Sequence, residues 1–174
     1  FGRAAGWWVV ANYVPSGRIM VFDDSSIYGY GREEVRYKGR GLKDTPYRFF
    51  GADRNVIPLD KNMKNHRNVA LAQRFQPTKV KYHWSREVPI VMRAMVLAGN
   101  TLFAAGPPMG TGKDAEEPLF DSRPGVLVAV NPEKGDTVAR YDMDAQPVFD
   151  GMVAAGGCLY ICTTDGRVLC MNGR

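Results

Sequence analysis

Gly106-Pro-Pro-Met-Gly-Thr-Gly-Lys113 follows an apolar stretch at 101–105 and has the composition of a phosphate-binding loop. A phosphate cradle needs Gly, four residues, then Gly-Lys-Ser/Thr, so that backbone N–H groups ring the phosphates and the hydroxyl meets Mg²⁺. Counting back from Gly112-Lys113 places Pro107 where the first glycine belongs, and Asp114 stands in place of the hydroxyl. Pro118 then cuts the segment that would have to form the anion-binding helix, so the run reads as a loop. His66 and His83 lie 17 positions apart without a carboxylate or cysteine at ligand spacing, which assigns them surface or packing roles. Cys158, Cys162 and Cys170 lack the CxxC spacing of metal sites. With a two-residue Asp165-Gly166 turn, Cys162 falls opposite Leu169 and Cys170 opposite Ile161, so the three are expected to be unpaired, buried small apolar residues. Asp23-Asp24-Ser25-Ser26 reads as a hairpin turn closed by its own side chains. No Ser-His-Asp or Cys-His set can be nominated, and no catalytic, cofactor-binding or metal-binding residue is assigned.

Two further charged residues, Arg93 and Asp150, stand out because a repeat relates them. Residues 84–103 and 141–160 are two copies of one pattern, offset by 57 positions. Val91, Met95, Val96, Ala98, Gly99 and Leu102 recur as Val148, Met152, Val153, Ala155, Gly156 and Leu159, and Arg93 aligns with Asp150. Trp84 and Tyr141 occupy one repeat position as blade aromatics. A second echo relates Gly125–Asn131 to Gly166–Asn172 at an offset of 41. The difference between the offsets locates an insert at 107–122, and the underlying period of about 41 residues is that of a four-stranded propeller blade. Arg93 and Asp150 each precede the innermost strand of a blade, where ligands bind in such rings, so they are the candidate ligand or channel residues, as a ligand site or a channel ion pair.

The elements that hold them are short strands separated by turn residues. Residues 159–162 and 167–171 flank Asp165-Gly166, and Gly156-Gly157 separates two further strands, since tight hairpin turns require positive φ. Asn131-Pro-Glu-Lys-Gly-Asp136 leads into another. In the N-terminal part, 17–31 aligns with 157–172, so residues 7–14 are expected as the first strand of that blade and 80–84 as its fourth. The expected organisation is blade strands in 1–32, a basic insertion at 33–79, a blade at 80–141 carrying the 107–122 insert, and a three-stranded blade at 142–174. The expected fold is all-β: a β-propeller of four-stranded antiparallel blades, present as a partial ring of about two and a half to three blades.

The formal charge of +5 is unevenly spread. Residues 32–86 hold 14 Lys/Arg against 5 Asp/Glu, whereas the rest of the chain is net acidic. Clustered charge raises local potential, so this insertion, with a short helix expected at 61–76, is a solvated surface excursion suited to an acidic partner. The base-stacking pattern of nucleic-acid binders is missing, and no apolar run approaches the 18 residues of a membrane span.

Ala154 to Asn172 and Gly125 to Val138 resemble the quinoprotein-type, PQQ-like propeller repeat. Residues 14–32 and 93–108 resemble the C-terminal region of large planctomycete-type bacterial propeller proteins. The resemblance implies a PQQ-like propeller with Trp84 and Tyr141 as docking aromatics, the remaining blades of the ring (upstream sequence or another chain) as partner, and an extracytoplasmic location. It leaves two functions open: a non-catalytic protein- or ligand-binding scaffold, or the C-terminal part of a quinoprotein-type oxidoreductase with its catalytic residues upstream. Only the second would involve PQQ and calcium. No two cysteines are adjacent to make the family's vicinal disulfide, so no cofactor is expected in this segment.

Overall fold

The computed structural model describes residues 16–32, 37–38, 41–42, 47–55, 57–58, 78–110 and 124–173. The described chain is all-β, without a helix among the described residues. The strands are β1 (Ser16–Phe22), β2 (Ser26–Arg32), β3 (Tyr37–Lys38), β4 (Gly41–Leu42), β5 (Tyr47–Asp53), β6 (Ile57–Pro58), β7 (Thr78–Lys79), β8 (Tyr82–Arg86), β9 (Ala94–Ala98), β10 (Thr101–Gly106), β11 (Gly125–Val130), β12 (Thr137–Met143), β13 (Pro147–Ala155), β14 (Cys158–Thr163) and β15 (Val168–Asn172). They divide between two compact units, Phe1–Glu87 and Val88–Arg174.

In the first unit a four-stranded antiparallel sheet runs in the order β1-β2-β5-β8, beside two small ladders, β3-β4 and β6-β7. The β1–β2 turn forms as its residue types dictate. The Asp23 carboxylate accepts hydrogen bonds from the Ser25 and Ser26 amides at 2.8 and 2.7 Å. Aromatic rings fill the places of missing side chains across this sheet. Phe50 lies over its register partner Gly29, and the Trp84 indole lies over its partner Gly51, an arrangement that covers exposed backbone in a strand. Phe49 meets Trp84 edge-on at 5.0 Å, the geometry that ring quadrupoles favour.

The strand order corrects one expectation. Residues 80–84 do contribute the fourth strand, as β8, but the third strand is β5, from inside the stretch read as insertion. The β1–β2 hairpin therefore takes the first two places among the described strands. The physical reason is local: Phe49, Phe50 and Ala52 are buried against β2 and β8, and this apolar run outweighs the basic residues flanking it. Residues 7–14 and 61–76, expected as a strand and a helix, lie outside the described residues.

The second unit holds a four-stranded antiparallel sheet ordered β9-β10-β11-β12, and a three-stranded sheet ordered β13-β14-β15. The β13–β14 turn is Gly156-Gly157, with φ of 58° and 76°, the left-handed pair that a two-residue hairpin needs. Asn131 closes the β11–β12 turn by accepting the Glu133 and Lys134 amides on its side-chain oxygen. The two sheets share one apolar core. Ala94, Ala105, Leu127 and Met143 of the four-stranded sheet meet Met152, Leu159 and Ile161 of the three-stranded sheet, flanked by Val96, Phe103, Ala154, Leu169 and Met171.

The β14–β15 register differs by one from the expected one. Cys162 pairs with Val168, Ile161 with Leu169, and Tyr160 with Cys170. The turn is one residue longer than a two-residue hairpin: Thr163 N donates to Arg167 O, and Gly166 sits at φ 84°, the three-residue form with a left-handed glycine. Cys158 is half-buried, and Cys162 and Cys170 are exposed free thiols. The expectation of buried cysteines is thus corrected: they occupy the side of the sheet turned away from the shared core.

Candidate functional site

Gly106 is the keystone of the Arg93 environment. A Cβ at this position would collide with the Val91 carbonyl, so only glycine lets residues 89–93 run tightly along the end of β10. That segment is held by Val91 N to Pro107 O at 2.9 Å, Met109 N to Pro89 O at 2.8 Å and Arg93 N to Ala105 O at 2.8 Å. Gly106, suggestive of a phosphate loop by sequence, is therefore a packing residue. Arg93 is buried at the entry to β9.

Asp150, expected ahead of its blade's first strand, instead lies inside β13, because a bulge interrupts the strand there: five steps along β13 from Pro147 to Met152 face two along β14. It has a φ of 57°, the one non-glycine residue among those described with positive φ. Gly151 follows because a Cβ there would run into Val148. The bulge turns the Asp150 amide outward to donate to the Arg93 carbonyl at 2.8 Å. The two residues related by the repeat thus meet, main chain to main chain, and join the first strands of neighbouring sheets. The Asp150 side chain is exposed beside the exposed ring of Phe149. Bulges and left-handed non-glycine residues concentrate where a side chain is re-aimed for function.

Gln146 was not singled out by sequence. It is fully buried just before β13, and neither its amide nitrogen nor its amide oxygen has a hydrogen-bond partner. A buried amide in this state forfeits its desolvation energy unless water or a ligand meets it. Its backbone carbonyl accepts from Thr164 N at 3.0 Å. Nothing in the repeat marks it, because its counterpart 57 positions earlier is Pro89.

The blade aromatics differ in setting. Trp84 is 8% exposed and packed on Gly51, whereas Tyr141 is 46% exposed on β12. Strand pairing also creates a contact invisible in the sequence. Asp53 of β5 lies 2.5 Å from His83 Nε2 and 3.5 Å from Lys81 Nζ. The His83 hydrogen bond, with the Lys81 charge assisting, holds the Asp53 carboxyl below its usual range. His83, read as lacking a carboxylate, gains one through β5–β8 pairing. His66 lies outside the described residues.

At the β14–β15 turn, Asp165 accepts from Arg167 Nε at 2.6 Å and from Thr163 Oγ1 at 2.5 Å, and its carboxyl is lowered to about 2, first by Arg167. A depressed folded-state carboxyl stabilises the fold above its unfolded value and loses that contribution as pH falls through the folded one. The turn is therefore expected to loosen between about pH 4 and pH 2, seen as amide shift changes at 163–167, and Asp165→Asn should abolish the transition. A turn that stays unchanged over this window would contradict the assignment.

Among the described residues no group of three His, Cys, Asp or Glu side chains could hold a metal ion. The three cysteines are not adjacent in sequence. No chemical step is derived through a quinone–calcium centre. At the Arg93–Asp150 locus, a buried arginine lies one main-chain hydrogen bond from an exposed carboxylate. Comparison with protein-family models finds no match, and comparison with curated proteins finds none. No helix of the described residues is long and apolar enough to cross a membrane.

Left-handed φ strains a residue with a side chain by about 1 kcal/mol. Asp150→Gly is therefore expected to raise the unfolding free energy by about that amount in denaturant titrations. A lower midpoint would show that the side chain contributes to folding rather than to recognition.

Proposed function

We propose that the chain is a segment of a PQQ-like β-propeller, about two and a half to three blades, that acts as a non-catalytic scaffold for a protein or ligand partner. Arg93 and Asp150 mark the ligand-facing end of neighbouring first strands, and the basic stretch at 32–86 is suited to an acidic partner. Upstream sequence or another chain supplies the remaining blades, in an extracytoplasmic setting.

One observation carries this reading. The four-stranded sheet of the second unit turns Val96, Phe103 and Leu127 toward the three-stranded sheet. Their repeat counterparts, at offsets of 57 and 41, are Val153, Tyr160 and Val168. These lie on the far side of the three-stranded sheet, since Leu159, Ile161, Leu169 and Met171 take the near side. Successive repeats thus stack in one sense, each setting the same side on the opposite side of the next, as blades do. Sheet stacking with first strands adjacent supports propeller architecture, and a rigid frame carrying loops supports binding over chemistry.

The test is cofactor retention. The protein purified at its natural length, incubated with PQQ and Ca²⁺ and desalted, is expected to keep no quinone absorbance and to show no dye-linked oxidation of alcohols or sugars. Retained quinone with turnover would overturn the scaffold reading.

A further inference from the structure

The outward side of the three-stranded sheet carries a pair of thiols that the strand register brings together. Tyr160 of β14 pairs with Cys170 of β15, and Cys158, two residues before Tyr160, lies on the same side. Cys158 and Cys170 are therefore diagonal neighbours, with the Tyr160 ring beside both. Both are free thiols, Cys158 half-buried and Cys170 exposed. Their side chains interact. Hydrogen bonding to the Cys158 thiol, ahead of other causes, pushes the Cys170 thiol up. The charges of the two thiols, Cys158 first, push the Tyr160 hydroxyl up. Cys162 takes no part in either effect, although it lies on the same side and diagonal to Cys170 in the other direction.

Spacing and ligand type decide what such a pair can hold. A disulfide needs Cα atoms within about 6.8 Å and sulfurs about 2.05 Å apart, whereas diagonal positions in a ladder lie about 7–8 Å apart. An ion between the thiols relaxes that demand, because two bonds of about 2.3 Å hold the sulfurs about 4.6 Å apart. Two thiols are too few for zinc, whose structural sites are four-coordinate. The cross-strand row of Val153, Tyr160 and Cys170 and the row of Ala155, Cys158 and Asn172 contain no carboxylate. Ca²⁺ and Mg²⁺ therefore lack the oxygen ligands they need there. What fits is a soft monovalent ion, which thiolates select and which two thiolates in line satisfy.

We propose that Cys158 and Cys170 form a two-coordinate site for a soft monovalent metal ion of the Cu(I) class, held between the two sulfurs beside the Tyr160 ring. Binding exchanges protons for metal: both thiols release their protons to solvent, two sulfur–metal bonds form, and no electron is transferred. Cys162, an exposed thiol on the same side but outside the pair, is the internal control.

Titration of the whole reduced chain with Cu(I) under argon, against a coloured Cu(I) chelator, tests it. The chain is expected to take up a single Cu(I) ion, with near-ultraviolet thiolate-to-metal absorbance. Cys158→Ser and Cys170→Ser should each weaken uptake at least about a hundredfold, the upper end of what losing even an outer-shell partner costs. Cys162→Ser should change neither stoichiometry nor affinity. Serine alters the volume little on a side turned away from the core, and an unchanged denaturation midpoint shows that each variant folds. The loaded chain is expected to sediment as the unloaded chain does. Equal losses in all three variants, or dimers formed on loading, would mean that single exposed thiols bind the ion, and would overturn the proposal. A reduced chain that takes up no Cu(I), whether or not it closes a disulfide between Cys158 and Cys170 in air, overturns it as well.

Discussion

Trp84→Ala is expected to lower the unfolding free energy of the first unit by about 3–5 kcal/mol, the range for removing a large buried aromatic. The loss has three sources. The indole is nearly fully buried, it meets Phe49 edge-on, and it occupies the space above Gly51, where its Nε1 lies 2.6 Å from the position a Cβ would take. Truncation opens a cavity and at the same time uncovers strand backbone that has no side chain of its own. Tyr141→Ala, at the same repeat position, should change stability by only about 0.5 kcal/mol, as surface substitutions do. Equilibrium denaturation followed by tryptophan-independent circular dichroism reads both. Equal effects would mean that the two aromatics share one structural role after all.

The second large effect belongs to Gly106. Gly106→Ala should cost roughly 3 kcal/mol, combining overpacking of about 1–3 kcal/mol with weakening of two backbone hydrogen bonds worth about 1 kcal/mol each. The obstacle is the Val91 carbonyl, which is backbone and cannot swing aside as a side chain would. Residues 89–93 must therefore lift from β10, and Val91 N to Pro107 O and Arg93 N to Ala105 O are the bonds at stake. The disturbance should reach Asp150, because its amide is held by the Arg93 carbonyl. Hydrogen exchange at the Asp150 amide is expected to speed up in the variant. Wild-type stability with slow Asp150 exchange would show that the close approach is absent.

These positions show what a single sequence can and cannot disclose. The repeat made part of the second unit legible: Gly156-Gly157 announced its turn, as Asp23 did in the first unit, whereas Arg93 and Asp150, read as a ligand site or ion pair, are joined through their main chains. Turn chemistry is local, so residue type suffices. Pairing between distant strands is not local. Tyr47–Asp53 was obscured by the basic residues around it, although Phe49 and Phe50 carry its burial. Once that strand is missed, the Asp53–His83 contact cannot be foreseen, because it exists only across β5 and β8. The cysteine register shifted because Gly166 closes a three-residue turn rather than a two-residue one, and a one-residue change reassigns every cross-strand partner. Gln146 carried no signal, since an unsatisfied buried amide is a property of packing.

Sheet stacking in the second unit underlies the proposed scaffold and the Arg93–Asp150 locus together. Methyl–methyl nuclear Overhauser contacts in the whole chain test it most directly. Strong cross-peaks from Leu127 and Met143 to Met152 and Ile161 are the expected result, given their common core. Their absence, with cross-peaks within each sheet retained, would contradict the stacking.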